Sequence, residues 1–140
     1  VALYRIFNGV SPTTTAMAPV ATGTSLKTLL QIQPSATKPL QVVSWGISFD
    51  GSAAATPIKV ELIEVDVAAT VTAHVQAGIV PMDGEALASG NVTTNLVQVG
   101  TANTGYTASA EGTVTASRLL DYKLITPTAW MDYSWSLGTE

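Results

Sequence analysis

At 140 residues the chain is long enough for one packed core, and it carries no cysteine, one histidine and a formal net charge of −4. Lacking cysteine, it can form no disulfide, thiolate nucleophile or zinc–thiolate site, and its six Lys and Arg are scattered from Arg5 to Lys123, with no basic patch to gather phosphate. Hydrophobic residues make up 46% but charged residues only 11%, so Thr, Ser, Asn, Gln and Gly must cover much of the surface, as suits faces that meet other protein.

In chain order, Leu3 to Phe7 reads as a first short strand, turned by Asn8-Gly9. Val10 to Thr24 is rich in Thr, Ala, Pro and Gly, and Pro12 and Pro19 forbid a regular central strand, so residues 10–24 read as an extended arm or an ordered loop over one sheet. Ser25 to Gln33 alternates Leu26, Thr28, Leu30 and Ile32 with Lys27 and Gln31. That is a strand pattern, with a short helix capped by Ser25 as its competitor.

The cleanest period of two runs from Leu40 to Asp66. Val43, Trp45, Ile47 and Phe49 mark one face of a strand, with Ser44, Gly46 and Ser48 on the other. After Asp50-Gly51 and a loop of small residues, Ile58, Val60 and Leu62 alternate with Lys59 and Glu61. The phase then flips at Leu62-Ile63, as a β-bulge would make it do. The pair reads as a central hairpin, with Trp45 as its largest core side chain.

Asp66 to Val75 has Val67, Ala69, Val71, Ala73 and Val75 on one parity and reads as a half-buried strand. Gly78 to Asn91, broken by Pro81, Asp83-Gly84 and Ser89-Gly90, reads as a long loop, Asn95 to Gly100 as a strand, and Thr101 to Gly112 as a second Thr, Ala and Gly tract. Thr113 to Ala116 and Arg118 to Ile125 follow as strands, the latter alternating Leu120, Tyr122 and Leu124 with Asp121 and Lys123. After Pro127, Trp130 to Leu137 puts Tyr133, Trp135 and Leu137 on one face. The whole predicts a single all-β domain over residues 1–140, an antiparallel β-sandwich or barrel of about seven or eight short strands with long Thr/Ala/Pro-rich loops. The last aromatic strand calls for cover from an earlier strand, a neighbouring subunit or residues beyond Glu140. No apolar run approaches the ~20 residues of a membrane-spanning helix, and the first residues show no basic segment followed by an apolar one.

The commonest catalytic signatures do not assemble. His74 is the sole histidine and has no Ser or carboxylate at motif spacing. A nucleophile elbow, a zinc-binding His pair and a phosphate-cradling Gly loop are all missing. Asp50-Gly51 and Asp83-Gly84-Glu85 could offer oxygens to calcium, but two such ligands in a turn read first as turn chemistry. Glu61, Glu64 and Asp66 could pair as glycosidase carboxylates, or stand as solvent-facing charges on an amphipathic strand. Trp130, Tyr133 and Trp135 are candidates for a sugar platform or a protein interface. In the arm, Thr13, Thr14, Thr15, Met17 and Pro19 are candidate contacts to a neighbour. No catalytic, cofactor or metal residue is assigned, and neither nucleic acid nor membrane is expected as a partner.

Four stretches carry a resemblance: Leu3 to Met17 (LYRIFNGVSPTTTAM), Val43 to Asp50 (VSWGISFD), Glu64 to Val75 (EVDVAATVTAHV), and Glu111-Gly112-Thr113 leading to Arg118. Together they resemble small structural proteins of tailed-bacteriophage virions, the decoration or cement proteins that bind the outside of an assembled capsid. The resemblance implies a non-enzymatic all-β protein on the outer capsid surface. It would be a homo-oligomer, often a trimer at local three-fold positions, and would stiffen the shell by bridging major capsid protein subunits. It also implies a further apolar segment after Glu140. The competing reading from another class is a carbohydrate-binding or receptor-binding β-sandwich module of fibre or tail type.

Overall fold

A computed structural model of the chain describes residues 2–11, 14–88 and 95–134. The fold is all-β: the described residues hold eleven strands and one 3-10 turn, Gln76–Gly78, and no α-helix. The strands are β1 (Tyr4–Arg5), β2 (Leu30–Gln31), β3 (Gln33–Pro34), β4 (Ser44–Ser48), β5 (Ile58–Val65), β6 (Thr70–Ala73), β7 (Val80–Pro81), β8 (Val97–Gln98), β9 (Gly105–Ala110), β10 (Ser117–Ile125) and β11 (Trp130–Ser134). All their pairings are antiparallel. The number exceeds the seven or eight expected partly because the Ser25 to Gln33 run yields part of two strands, β2 and β3, and partly because β7 lies in a stretch read as a loop and β9 in a tract given no strand. The chain divides into two compact units, one formed by Val1–Leu40 with Val67–Val114 and the other by Gln41–Asp66 with Thr115–Glu140.

The first unit contains the pairs β1–β7 and β3–β8 and the three-stranded sheet β2–β9–β6. Its core is the cluster Ile79, Leu87, Val97 and Val99, with Tyr4, Ile6, Ile32, Leu40 and Leu96 packed around it. Strands of two residues leave much of the backbone without a ladder partner, and buried polar groups must be satisfied by something. Here side chains do it. The Gln31 amide donates to Asn103 O (2.6 Å) and Ala69 O (3.3 Å), while its oxygen accepts from Ala69 N (2.8 Å). Thr104, wholly buried, accepts Gln33 N at its hydroxyl (2.9 Å), and its carbonyl accepts His74 N (3.1 Å). Asn95 clamps Ala88 through both backbone groups at 3.0 Å. Glu111 holds Thr28 N and Thr28 Oγ1, each at 2.7 Å.

The Thr101 to Gly112 tract, to which the sequence assigns no strand, contains β9, the middle strand of its sheet. Small side chains are what allow this. A Cβ on Gly105 would collide with Thr72 O and the Val71 side chain, so only glycine lets β9 lie this close to β6. Within β9, Thr107 has a positive φ of 49° beside the register shift between Thr70 and Thr72, and its N–H is redirected to Leu29 O (2.9 Å). The expected loop from Gly78 likewise contains β7, which pairs with β1, and contributes Leu87 to the core. The expected strand Thr113 to Ala116 does not form. Asp66 accepts both Thr115 N and Ala116 N (3.0 Å each) and the Thr115 hydroxyl, so side-chain capping replaces a ladder there.

The second unit corrects the expected central hairpin: β4 pairs with β11 and β5 with β10. Asp50-Gly51 does not turn the chain back on β4, because Gly51 N–H bonds Pro127 O (2.8 Å) and the glycine lies directly against that proline ring. β10 offers β5 a strand nine residues long, whereas β4 has only five. The bulge foreseen at Leu62-Ile63 lies at that level of the ladder, with its extra residue on the opposite strand: Leu119 faces Ile63 and Asp121 faces Leu62, leaving Leu120 unpaired. The inner faces of the two pairs meet where Trp45 Nε1 donates to Asp121 (3.2 Å) and where Lys123 lies over the Tyr133 ring (5.5 Å). Trp45, expected as the largest core side chain, is half-buried.

His74 is buried. Its Nε2 bonds Phe7 O (2.8 Å), its ring leans on Tyr106 with centroids 5.0 Å apart, and its Nδ1 lies close above Gly78. Burial pushes its pKa below the usual 6.5, against the raising influence of the Phe7 carbonyl.

Gly105→Ala should cost about 1–3 kcal/mol through overpacking, read as a lower denaturant midpoint at unchanged slope. The neutral His74 should contribute stability that is complete above its unfolded value of 6.5 and is lost as pH falls, since the unfolded chain takes up the proton first. Because Asp66 and Asp121, with depressed values, lose their contributions only below 3.8, unfolding titrations from about pH 7 to about pH 5 should show a decline that His74→Gln flattens.

Candidate interaction surface

The second unit has an unusual distribution of side chains. Of its described residues only Ile125 and Pro127 are buried, while Ile63, Val65, Leu119, Leu120, Tyr122, Leu124, Trp130 and Tyr133 are exposed. The register explains how. Along β10, Asp121, Lys123 and Ile125 share the inner face with Leu62, Val60 and Ile58 of β5. Tyr122 and Leu124 fall on the outer face beside Glu61 and Lys59, and Leu119 continues it beside Ile63. β10 is thus inverted over much of its length: an ion pair, Lys123–Asp121 at 3.1 Å, faces the partner sheet, and Leu124 and Leu119, 63% and 57% exposed, face outward. Burial raises the Asp121 carboxyl, but the hydrogen bonds of Lys123 and Tyr122 N–H outweigh it and hold the group below its ordinary value.

At one end of this ladder a shallow groove of about 300 Å3 runs between Lys123–Thr126 and Ala129–Met131. Trp130 stands at it, 75% exposed, on the β4–β11 face that also carries Ser48, Gly46 and Ser44. Tyr133 lies opposite Trp45 on the other face and carries the Lys123 ammonium over its ring. The two aromatics point to opposite sides of their sheet, so they form no common platform. Trp135 lies outside the described residues.

In the arm, Thr14, Thr15, Met17 and Pro19 are exposed, and Thr13 lies outside the described residues. The Met17 methyl group rests against Gly9, and Ser11 O sits over Gly78, which fastens the start of the arm to its own unit. The three carboxylates weighed as a catalytic set are separately engaged. Glu61 pairs with Lys59 (2.8 Å), Glu64 with Arg118 (3.2 Å), and Asp66 caps Thr115 and Ala116. Glu61 raises Lys59 above the ordinary lysine value, and the Thr115 hydroxyl together with the Ala116 N–H lowers Asp66. Asp83, weighed as a calcium ligand, accepts Leu3 N (2.9 Å) and so pins the start of the chain near β7. No group of three His, Asp or Glu side chains suited to a metal ion occurs among the described residues.

Sequence patterns named the aromatics but missed the outer face of β5–β10. The available signal was the like parity of Tyr122 and Leu124 facing Lys59 and Glu61, which yields an apolar stripe once the partner strand is known. No protein-family profile, curated protein or solved structure matches this chain.

If Trp130 is a contact residue and not a core one, Trp130→Ala should leave folding stability within about 0.5 kcal/mol, whereas Ile125→Ala should cost about 2–5 kcal/mol. Denaturant unfolding of the two variants in parallel separates the roles.

Proposed function

We propose that this chain is a non-catalytic structural protein of a bacteriophage virion, a decoration or cement protein. It docks on the outside of the assembled capsid as a homo-oligomer, the trimer that the family resemblance implies, and stabilises the shell by bridging major capsid protein subunits. The observation that carries the reading is the stripe of exposed apolar side chains on the outer face of β5–β10, Ile63, Val65, Leu119, Tyr122 and Leu124, in a unit whose described residues include only two that are buried. Contiguous apolar surface of this kind marks sites that other protein covers. The low charge and the Thr-rich arm support it, since hydroxyl and backbone groups can bond across subunits without large desolvation costs.

Binding only the assembled lattice would stabilise it by linkage, about 2.7 kcal/mol per site at a hundred times the dissociation constant. Several contacts held by one oligomer would reinforce one another through effective concentration. Purified protein should co-sediment with mature capsids and raise the temperature at which they disrupt. Absence from the pellet together with an unchanged disruption temperature would reject the role.

A second reading, a carbohydrate-binding or receptor-binding module, draws on the exposure of Trp130 beside its groove. Its weakness is chemical: among the described residues that line that groove, only Lys123, Thr126 and the Trp130 indole N–H are polar, and sugar sites need several convergent hydrogen-bonding groups. Glycan-array binding that Trp130→Ala abolishes would favour it.

A further inference from the structure

The outer face of the β5–β10 ladder has one occupant that its charge pattern favours. The described residues contain three salt bridges, Lys59–Glu61, Arg118–Glu64 and Lys123–Asp121, and all six partners lie on this ladder. The ladder therefore has no net charge, whereas the chain as a whole carries −4. Two copies approaching by most other surfaces meet like charge, which disfavours contact. On the apolar stripe of Leu124, Tyr122, Ile63, Leu119 and Val65, the only ionic groups are Lys59 and Glu61, already neutralised against each other at 2.8 Å. Lys59 also lies over the Tyr122 ring (5.6 Å), leaving its stem along the stripe. Among the described residues neither strand has a second neighbour, so the ladder is a two-stranded ribbon, an arrangement with little stability of its own.

We propose that this face is the contact between copies of the chain: the outer face of β5–β10 packs against a second molecule of the same protein, burying Leu119 and Leu124 at the centre of the joint. This rests on the oligomeric part of the proposed function and supplies its surface. It leaves Trp130 and the arm to meet the shell.

The test uses the whole chain, with mass measured by light scattering or sedimentation at several concentrations, and capsid co-sedimentation measured separately. The wild type should be an oligomer. Leu119→Thr combined with Leu124→Thr keeps good strand formers on the ladder and should weaken self-association roughly tenfold to hundredfold for each leucine lost, with an unchanged circular dichroism spectrum. Leu26→Glu, which alters an exposed leucine of the other unit, should keep the wild-type mass. A monomeric wild type, a double variant of unchanged mass, or an equal loss of mass in Leu26→Glu would each overturn the inference. A double variant that keeps its mass but no longer binds capsids would do so by assigning the face to the shell. Failure of every variant and the wild type to bind capsids, with the mass changes as expected, would reject the capsid role and leave the copy-to-copy contact standing.

Discussion

The first unit depends on one constraint: its strands are too short to satisfy their own backbones, and side chains must finish the hydrogen bonding. Gln31 and Thr104 bond main-chain groups distant in sequence, and Asn95 closes a nearer loop onto Ala88. A buried N–H or C=O left without a partner costs about 1–3 kcal/mol, comparable with burying a core leucine, so these polar residues fix the arrangement as firmly as the apolar cluster does. Ile79 and Val97 fill space that many compact chains could fill. The position of Thr104, touching three segments at once, suits far fewer.

Much of the fold class was legible in the sequence because period-two alternation survives wherever strands are long. β5 and β10 match their expected bounds to within one residue, and β4 lies inside the run that starts at Leu40. What alternation cannot carry is the pairing. The Asp50-Gly51 turn signal suggested that β4 and β5 were neighbours, yet each pairs with a strand more than fifty residues onward, where a longer complementary run was available. Such non-local choices depend on the summed fit of whole ladders, which no local window contains. β9 was hidden for a different reason. Its residues, Gly-Tyr-Thr-Ala-Ser-Ala, match loop composition, and the smallness that conceals it is what lets it fit between two neighbours.

The candidate surface shows a related limit. A period of two defines two faces and is silent on which one is covered. In β10 the usual assignment is reversed: Asp121 and Lys123 turn inward because Trp45 and Tyr133 give them an indole N–H and an aromatic face to bind, and Tyr122 and Leu124 turn outward as a result. That reversal depends on residues seventy and more positions upstream and ten downstream, and it becomes visible only when the two sheets are placed together.

The Gln31 amide also narrows what evolution could write at that position. It gives hydrogens to two carbonyls and takes one from Ala69 N–H within a single planar group. A glutamate can only accept there, a lysine can only give, and a methionine of similar length does neither. Asparagine has the right group on a stem one carbon shorter. Of the twenty encoded side chains a single one combines that reach with that chemistry, so drift at residue 31 should be nearly frozen by the needs of folding alone.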